Sequence, residues 1–368
     1  MAKIAILVTS DVVSDQRVHR TASTLADAGH NIWVIGRRLK NTPSAIDKPY
    51  KLILFRLPFK KGFLFYASYN IWAFTCLIFR RFDLFHANDL DTLPAARMAS
   101  LIKNKPIIYD SHELFTEVPE LLSKPNIQRI WVLLEKLFSK GINFNSTVSD
   151  GIANELNKRY KKQYVVIRNV PYKKHVDTEI KAQNSKTVIY QGALNIGRGL
   201  EKLIEAMQWL PDARLMIVGS GDIELNLKRI CNNFSLDDRV TFTGRVNLEQ
   251  LHDMSINATL GVSLEEDFGT SYRFALPNKL FDYIQAGLPV LTSNLPEMEK
   301  IVKNYSIGKT IENNCTAKEL AFVLNEMLND SVELAKWKLN SLEASRILCW
   351  ENEREKLISL VYSALKNK

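Results

Sequence analysis

The chain is predicted to be an α/β protein of two doubly wound Rossmann-like domains facing one another across a cleft. Three observations lead there. Its 368 residues exceed what one hydrophobic core usually supports. Short, nearly continuous apolar runs alternate with helix-length segments, the pattern of parallel strands covered by helices. The alternation pauses at residues 172–186, a polar stretch rich in Lys, Gln and Asn, and then resumes.

In the first half the strand-like runs fall at residues 4–8, 32–35, 52–57, 84–87, 107–109 and 145–148, with a further short run at 165–167. Between the first two, residues 16–28 form an amphipathic helix stopped by Gly29. The second series is at 188–191, 215–218, 240–243, 260–262 and 290–292, and from Thr316 onward the chain reads as helices. The expected division is an N-terminal Rossmann-like domain over 1–171, a linker over 172–186 and a second such domain over 187–345. The final helix, 346–368, is a candidate to pack back on the first domain. In such sheets ligands bind beyond the carboxyl ends of the strands.

Composition narrows the partners. A formal charge of +9 suits nucleic acid, an anionic membrane surface or a phosphorylated substrate. No aromatic-plus-glycine RNA signature or DNA-reading helix is present, which speaks against nucleic acid. The apolar run at residues 1–9 is too short for a signal peptide and reads as a strand, so a cytoplasmic protein is expected, peripheral on the inner membrane face if it binds lipid. Cys76, Cys231, Cys315 and Cys349 are scattered and read as reduced core residues.

Three segments of the second half carry the chemistry. In Tyr190-Gln191-Gly192-Ala193-Leu194-Asn195-Ile196-Gly197-Arg198-Gly199, a strand ends and a glycine-flanked loop brings Arg198 to the opening of a helix. Backbone amides plus a guanidinium suit a pyrophosphate, although a plain turn with a solvated Arg has the same pattern. In Ile217-Val218-Gly219-Ser220-Gly221-Asp222, Gly219 and Gly221 allow either close ligand approach or tight packing. In the third, Pro277 marks a helix start and puts Asn278 and Lys279 in the first turn, where free N–H groups attract phosphate. Asp282, one turn on, shares the face of Asn278 and is placed to accept from ribose hydroxyls.

Taken together these segments resemble the donor domain of the retaining glycosyltransferases of family 4, which have the GT-B fold. The most specific part is Leu276-Pro277-Asn278-Lys279-Leu280-Phe281-Asp282-Tyr283 with Ala286-Gly287-Leu288-Pro289-Val290. The N-terminal half adds Asp15-Gln16-Arg17-Val18, Asp83-Leu84-Phe85-His86-Ala87, Tyr109-Asp110-Ser111-His112-Glu113 and Val148-Ser149-Asp150-Gly151-Ile152. The resemblance implies transfer of a sugar from a nucleotide-diphosphate sugar, a co-substrate rather than a cofactor, with retention and no required metal. Arg198 then matches the basic residue at the donor diphosphate, and Asp282 the second acidic residue of the E-x7-E motif, at the ribose. Gly192, Gly219 and Gly221 fall in donor loops, and Gly244, Arg245 and Val246 on the loop that meets the nucleobase. His112 matches a histidine near the sugar and the acceptor. Arg17, His86 and Asp89 are the acceptor-side candidates, His86 being more readily a core residue.

The chain departs from that pattern in three places. Phe274 stands where the first acid of E-x7-E belongs, with Glu265, Glu266 and Asp267 nearby as candidate replacements. Ala193 stands where a second arginine is common. The glycine-rich N-terminal loop is replaced by Val12-Val13-Ser14-Asp15-Gln16-Arg17, with Arg17 and Arg20 as candidates to face the cleft. The expected chemistry is electrostatic: Arg198, Lys279 and helix amides stabilise the leaving diphosphate, the sugar departs on its front face, and His112 orients rather than acts as a strong base.

The uncharged stretch Gly62–Phe79 lies between Lys60-Lys61 and Arg80-Arg81. Its length suits a membrane span, but its place between two strands of one sheet argues for a helix that stays in the domain. One stripe (Phe63, Tyr66, Asn70, Ala73, Leu77) is assigned to the sheet. The other (Phe65, Tyr69, Trp72, Cys76, Phe79), with Arg80 and Arg81, is assigned to an anionic membrane surface, or to a neighbouring helix or dimer partner. A lipid-linked or growing glycan acceptor fits the first choice. The rival functions are a nucleotide-sugar epimerase and a two-lobed solute-binding protein. A hydride-transfer enzyme would need G-x-G-x-x-G after the first strand, and Val12-Val13-Ser14 offers none.

Overall fold

The computed structural model describes residues 1–13, 15–40, 42–43, 47–174 and 186–367. Ser14 of the first loop and residues 175–185 of the expected linker lie outside the described residues. In chain order the first part contains β1 (Lys3–Leu7), α1 (Gln16–Asp27), β2 (Asn31–Arg37), β3 (Lys51–Phe55), α2 (Gly62–Phe79), β4 (Leu84–Asn88) and α3 (Leu93–Lys103). It continues with β5 (Ile107–Ser111), α4 (Pro119–Leu122), α5 (Pro125–Ser139), β6 (Phe144–Thr147), α6 (Asp150–Tyr160) and β7 (Val165–Val166). The second part begins with β8 (Lys186–Gln191), α7 (Leu200–Ala206), β9 (Ala213–Val218), α8 (Glu224–Asn233), β10 (Val240–Gly244), α9 (Leu248–Ile256) and β11 (Leu260–Ser263). After it come α10 (Thr270–Arg273), α11 (Asn278–Gln285), β12 (Val290–Ser293), α12 (Pro296–Tyr305), β13 (Gly308–Ile311), α13 (Ala317–Asn329), α14 (Ser331–Ile347) and α15 (Trp350–Lys366).

The chain divides into two compact units, Met1–Asn169 with Glu351–Lys368, and Val170–Trp350. Each is a parallel α/β sheet with helices on its faces, so the predicted class is present in both. In the first unit the sheet has seven strands ordered β3-β2-β1-β4-β5-β6-β7. β1 lies at its centre, and Ile4, Ala5, Ile6 and Leu7 are fully buried, which is why the run is apolar without alternation. Glu353 of α15 ties the C-terminal helix to this unit by accepting from the Arg168 backbone at 3.1 Å and the Arg168 guanidinium at 3.4 Å.

The second unit has six parallel strands ordered β10-β9-β8-β11-β12-β13. Alternate residues of its central strands go to opposite faces: Val188 and Tyr190 enter one core with Leu215, Ile217 and Leu324, while Ile189 enters the other with Leu280 and Met298. β13 is absent from the sequence reading because Gly308-Lys309-Thr310-Ile311 is a short edge strand with one buried apolar residue. Tyr283 of α11 pins the point where strand order reverses. Its hydroxyl donates toward the Ile189 and Val262 carbonyls at 3.2 and 3.3 Å and accepts from the Gln191 amide at 3.0 Å. A side chain on Gly261 would strike that ring, since a Cβ there lies 2.7 Å from it.

The stripes of α2 differ in part from those expected. Ala73 and Leu77, assigned to the sheet, are buried. Phe65 and Tyr69, assigned to the outside, are buried, and the Tyr69 hydroxyl lies between the Val8 amide (3.0 Å) and the Ile35 carbonyl (3.1 Å). Trp72 is half-buried and stacks on Phe55, ring centroids 3.4 Å apart. Phe63, assigned to the sheet, is exposed, whereas Phe79, Arg80 and Arg81 are exposed as expected. A helix with no polar face carries no internal signal of its rotation. Asn70 supplies it: its amide donates to the Asp91 carbonyl at 2.8 Å and its carbonyl accepts from the Ala95 amide at 2.9 Å.

Candidate active-site residues

In the second unit the loops after β8, β9 and β10 are fitted backbone to backbone. The Gly192 amide donates to the Val218 carbonyl at 3.0 Å and the Gly219 amide to the Gly244 carbonyl at 2.9 Å. A Cβ on Gly219 would sit 1.9 Å from the Gly192 oxygen, and one on Gly221 would sit 2.3 Å from the Leu194 oxygen. Both glycines are therefore required by loop-on-loop packing. Gly219→Ala should lower the unit's melting temperature by several degrees, because its φ of +143° and the facing carbonyl both resist a side chain. A thermal scan showing an unchanged transition would contradict this account. Gly244, by contrast, has open space about it. Arg245 is exposed and donates to Ser220 Oγ at 2.6 Å, and Val246 packs partly against the core beneath α11.

Beside this loop bed lies a charged cluster. Lys279, 8% exposed, donates to Glu265 Oε1 at 2.7 Å, and Arg198 reaches the same oxygen at 3.4 Å. Ser263 Oγ donates to the other oxygen at 2.6 Å. Glu265 is 1% exposed; burial works against its charge, but Lys279 and Arg198 outweigh it and hold its pKa below the ordinary carboxylate value. Two aromatic faces complete the setting: Lys279 Nζ lies 4.2 Å from the Tyr190 ring centroid, and the Arg198 guanidinium 5.2 Å from that of Tyr272. The cations expected to meet phosphate are thus brought together, sharing one carboxylate and keeping a net single positive charge. Asn278 is exposed at the start of α11, whose N-terminus no side chain caps. Asp282 is half-buried and accepts from Gln191 Nε2 at 2.8 Å.

Of the three acids offered as replacements for the first E-x7-E residue, Glu265 alone joins this cluster. Asp267 is engaged by Arg273 at 2.9 Å, and burial raises the pKa of Glu266. Phe274 follows α10, and Gly192 and Ala193 are exposed.

In the first unit a second cluster sits where β1, β4 and β5 end. Arg17, in the first turn of α1, grips Asp110 at the end of β5 with two bonds of 3.0 and 2.8 Å and donates a third to the Ile167 carbonyl at 3.0 Å. His112 lies between two carboxylates, its Nδ1 2.9 Å from Asp89 and its Nε2 3.0 Å from Asp110. Burial opposes a charge on the ring, yet Asp89 and Asp110 outweigh it and raise the His112 pKa to about 10. With both nitrogens donating, the imidazolium has no lone pair to take a proton, so it is built to orient and to present charge. Asp89 has a φ of 60°, unusual for a non-glycine residue and typical of strained functional positions. Close by, Thr9 donates to Asp91, whose pKa burial and Asp89 push up to about 7.

Two acceptor-side expectations are corrected. His86 is fully buried in β4 with neither ring nitrogen bonded, and burial lowers its pKa to about 4, so it is a neutral core residue. Arg17, 4% exposed, is consumed by Asp110 rather than turned outward. Arg20 is likewise buried, donating to Asn169. Asp110 and Asp91 were not singled out as site residues. The available signal was an Asp two residues before His112, at the end of a buried strand.

Two doubly wound units with charged clusters at their strand ends make up the class of fold, and comparison with known families gives the class of protein. Residues 15–170 match the family Glycosyltransferase Family 4, and residues 171–343 match Glycosyl transferases group 1. The chain belongs to these glycosyltransferases. An uncharacterized glycosyltransferase of Methanocaldococcus jannaschii is 29% identical over 126 residues, 33% of this chain and 30% of that one. Another, from Haemophilus influenzae, is 27% identical over 179 residues, 47% of each. The chain thus matches less than two thirds of the length of these curated relatives. Among solved structures, sucrose-phosphate synthase from Thermosynechococcus elongatus superposes with a TM-score of 0.82 at 19% identity, covering all of both chains. The two-domain GT-B fold is shared with it.

Proposed function

We propose that this protein transfers a sugar from a nucleotide-diphosphate sugar to a glycan or lipid-linked acceptor. The donor is assigned to the second unit, and the single observation that carries the reading is the Arg198–Glu265–Lys279 cluster beside the Gly192 loop. A diphosphate there would meet a net positive, partly desolvated site next to the uncapped start of α11, where developing charge on the leaving group is stabilised most. Asp282 takes the ribose hydroxyls, and the Gly244–Val246 loop the base. Solved glycosyltransferase structures include the Anabaena protein HepE in complex with UDP and glucose, 17% identical with a TM-score of 0.75 over 99% of this chain, which supports a uridine nucleotide as the first to try. Retention and independence from metal belong to the same proposal by resemblance to the family; the nearest buried acid, Glu265, is engaged by Lys279 and Arg198. The first unit takes the acceptor, with His112 as the orienting charge. Cytoplasmic residence fits a nucleotide-sugar donor.

Calorimetric titration with UDP and with GDP tests the donor half. Arg198→Ala and Asp282→Ala should each weaken binding of the preferred nucleotide about tenfold or more. Wild-type-like affinity in both folded variants would remove the donor assignment.

A further inference from the structure

Helices α2, α3 and α5 form one layer on a face of the first unit's sheet: α2 packs on α3 and α3 on α5. Their inward sides are accounted for. Tyr69 and Leu77 of α2, Ala95 and Ala99 of α3, and Trp131 of α5 are all buried. The outward sides of a helical layer in water are normally polar. Here they are not. On α2, Leu64 and Ile71 stand out, Ile71 68% exposed. On α3, Met98, Leu101 and Ile102 form the outer stripe. On α5, Ile127, Ile130, Leu133 and Leu137 recur at helical spacing, Leu133 64% exposed. Three adjoining helices with unpartnered apolar stripes make a far larger surface than scattered single residues do.

Charge says what covers it. The sequences of α2, α3 and α5 contain one carboxylate, Glu135, and it is buried, accepting from the Tyr160 hydroxyl at 2.6 Å and the Tyr109 hydroxyl at 3.3 Å. The cations, however, are exposed beside the stripes: Lys60 and Lys61 before α2, Arg80 and Arg81 after it, and Arg129, Lys136 and Lys140 along α5. An apolar face with exposed cations beside it, on helices whose one carboxylate is buried, fits the interface of an anionic bilayer. A second copy of the chain would bring the same positive margin against itself, and so fits less well.

We infer that the outer face of α2, α3 and α5 is a membrane-docking surface that lies in the headgroup region of anionic lipid, with α5 rather than α2 alone as its main element. Its helices stay on the sheet, held by Asn70 and Tyr69, so the unit is peripheral and does not span. The surface does not depend on the donor site and stands or falls separately from it.

Vesicle co-sedimentation tests it with the full chain. Binding to phosphatidylcholine vesicles containing a quarter phosphatidylglycerol should exceed binding to pure phosphatidylcholine by about tenfold and weaken in 0.5 M salt. L133S/L137S should lower the partition coefficient by at least about tenfold, as should R129E/K136E/K140E. Both variants change exposed residues, and an unchanged circular dichroism spectrum and melting transition show that each is folded. Equal binding by wild type and both variants, or no binding at low salt, overturns the proposal. A wild-type dimer in sedimentation velocity that L133S/L137S dissociates, without vesicle binding, also overturns it and assigns the face to a second copy.

Discussion

Replacing Asp110 with alanine should destabilise the first unit by about 3–5 kcal/mol, the usual cost of stranding a charge after its buried partner is removed. The stranded group is Arg17, which loses two bonds in a place that water does not reach. Ser146 Oγ, at 2.8 Å, and His112 lose the same acceptor. Hydrogen exchange of β4 and β5 amides, with urea unfolding, measures the effect. As a control, Lys105→Ala breaks a partly exposed pair with Asp83 at 3.8 Å and should cost about 0–1 kcal/mol. A loss from Asp110→Ala no larger than that control would show that the cluster contributes little.

The same cluster sets a pH dependence. Burial works against the Asp110 charge, but Arg17 and His112 outweigh it and hold its pKa well below the ordinary range. A depressed carboxylate contributes stability that is present above the ordinary value of 3.8 and lost as pH falls below it. His112 is raised from 6.5 to about 10, so its contribution is complete below pH 6.5 and fades as pH rises toward 10. Wild-type stability should therefore decline from pH 6.5 to 10 by on the order of a few kcal/mol, and His112→Asn should flatten that decline. A slope unchanged by the substitution would mean that other groups set it.

Lys279→Met should be nearly as costly in the second unit, for the mirror-image reason. Glu265 would remain buried without its main counter-ion, which with Arg198 and the Ser263 hydroxyl holds its pKa down against burial. A loss of about 3–5 kcal/mol is expected. Exchanging both members, as Lys279→Met with Glu265→Leu, should recover most of it, because a buried pair replaced by packed apolar groups is often near neutral. UDP affinity separates packing from function. If Lys279 serves the donor diphosphate, binding falls about tenfold or more in the single variant and stays low in the rescued double variant. Restored binding together with restored stability would leave the pair a structural one and Arg198 as the sole cationic contact.

The site in the second unit was legible far earlier than the one in the first. Asn278-Lys279 and Asp282 sit on one short helix, where spacing decides which side chains share a face. Arg198 follows a strand by a loop whose glycines are visible. The Glu265–Lys279 bond, by contrast, joins β11's exit to α11 at a sequence separation of 14, with only the short α10 between, and no periodicity runs through such a segment. In the first unit, Arg17 meets Asp110 at a sequence separation of 93, a pairing created by the sheet alone. Hence Arg17 stood as a candidate for the cleft until the sheet placed it against a carboxylate, while His86 lies inside a core, the reading the sequence favoured.

By itself the sequence determined the class of the fold and the alternation of two parallel sheets, and it singled out the segments proposed to hold a nucleotide diphosphate. These are written in hydrophobic period and turn chemistry, which act over a few residues. Only the tertiary structure decided the charge states and the outward faces. Whether Lys279 or His112 carries an unshared charge depends on carboxylates brought near by folding. Which side of an all-apolar helix meets water depends on what its neighbours cover. That is why α2 turned Phe65 and Tyr69 inward, and why the apolar stripe of α5 became visible as a surface only once the helices of its layer were in place.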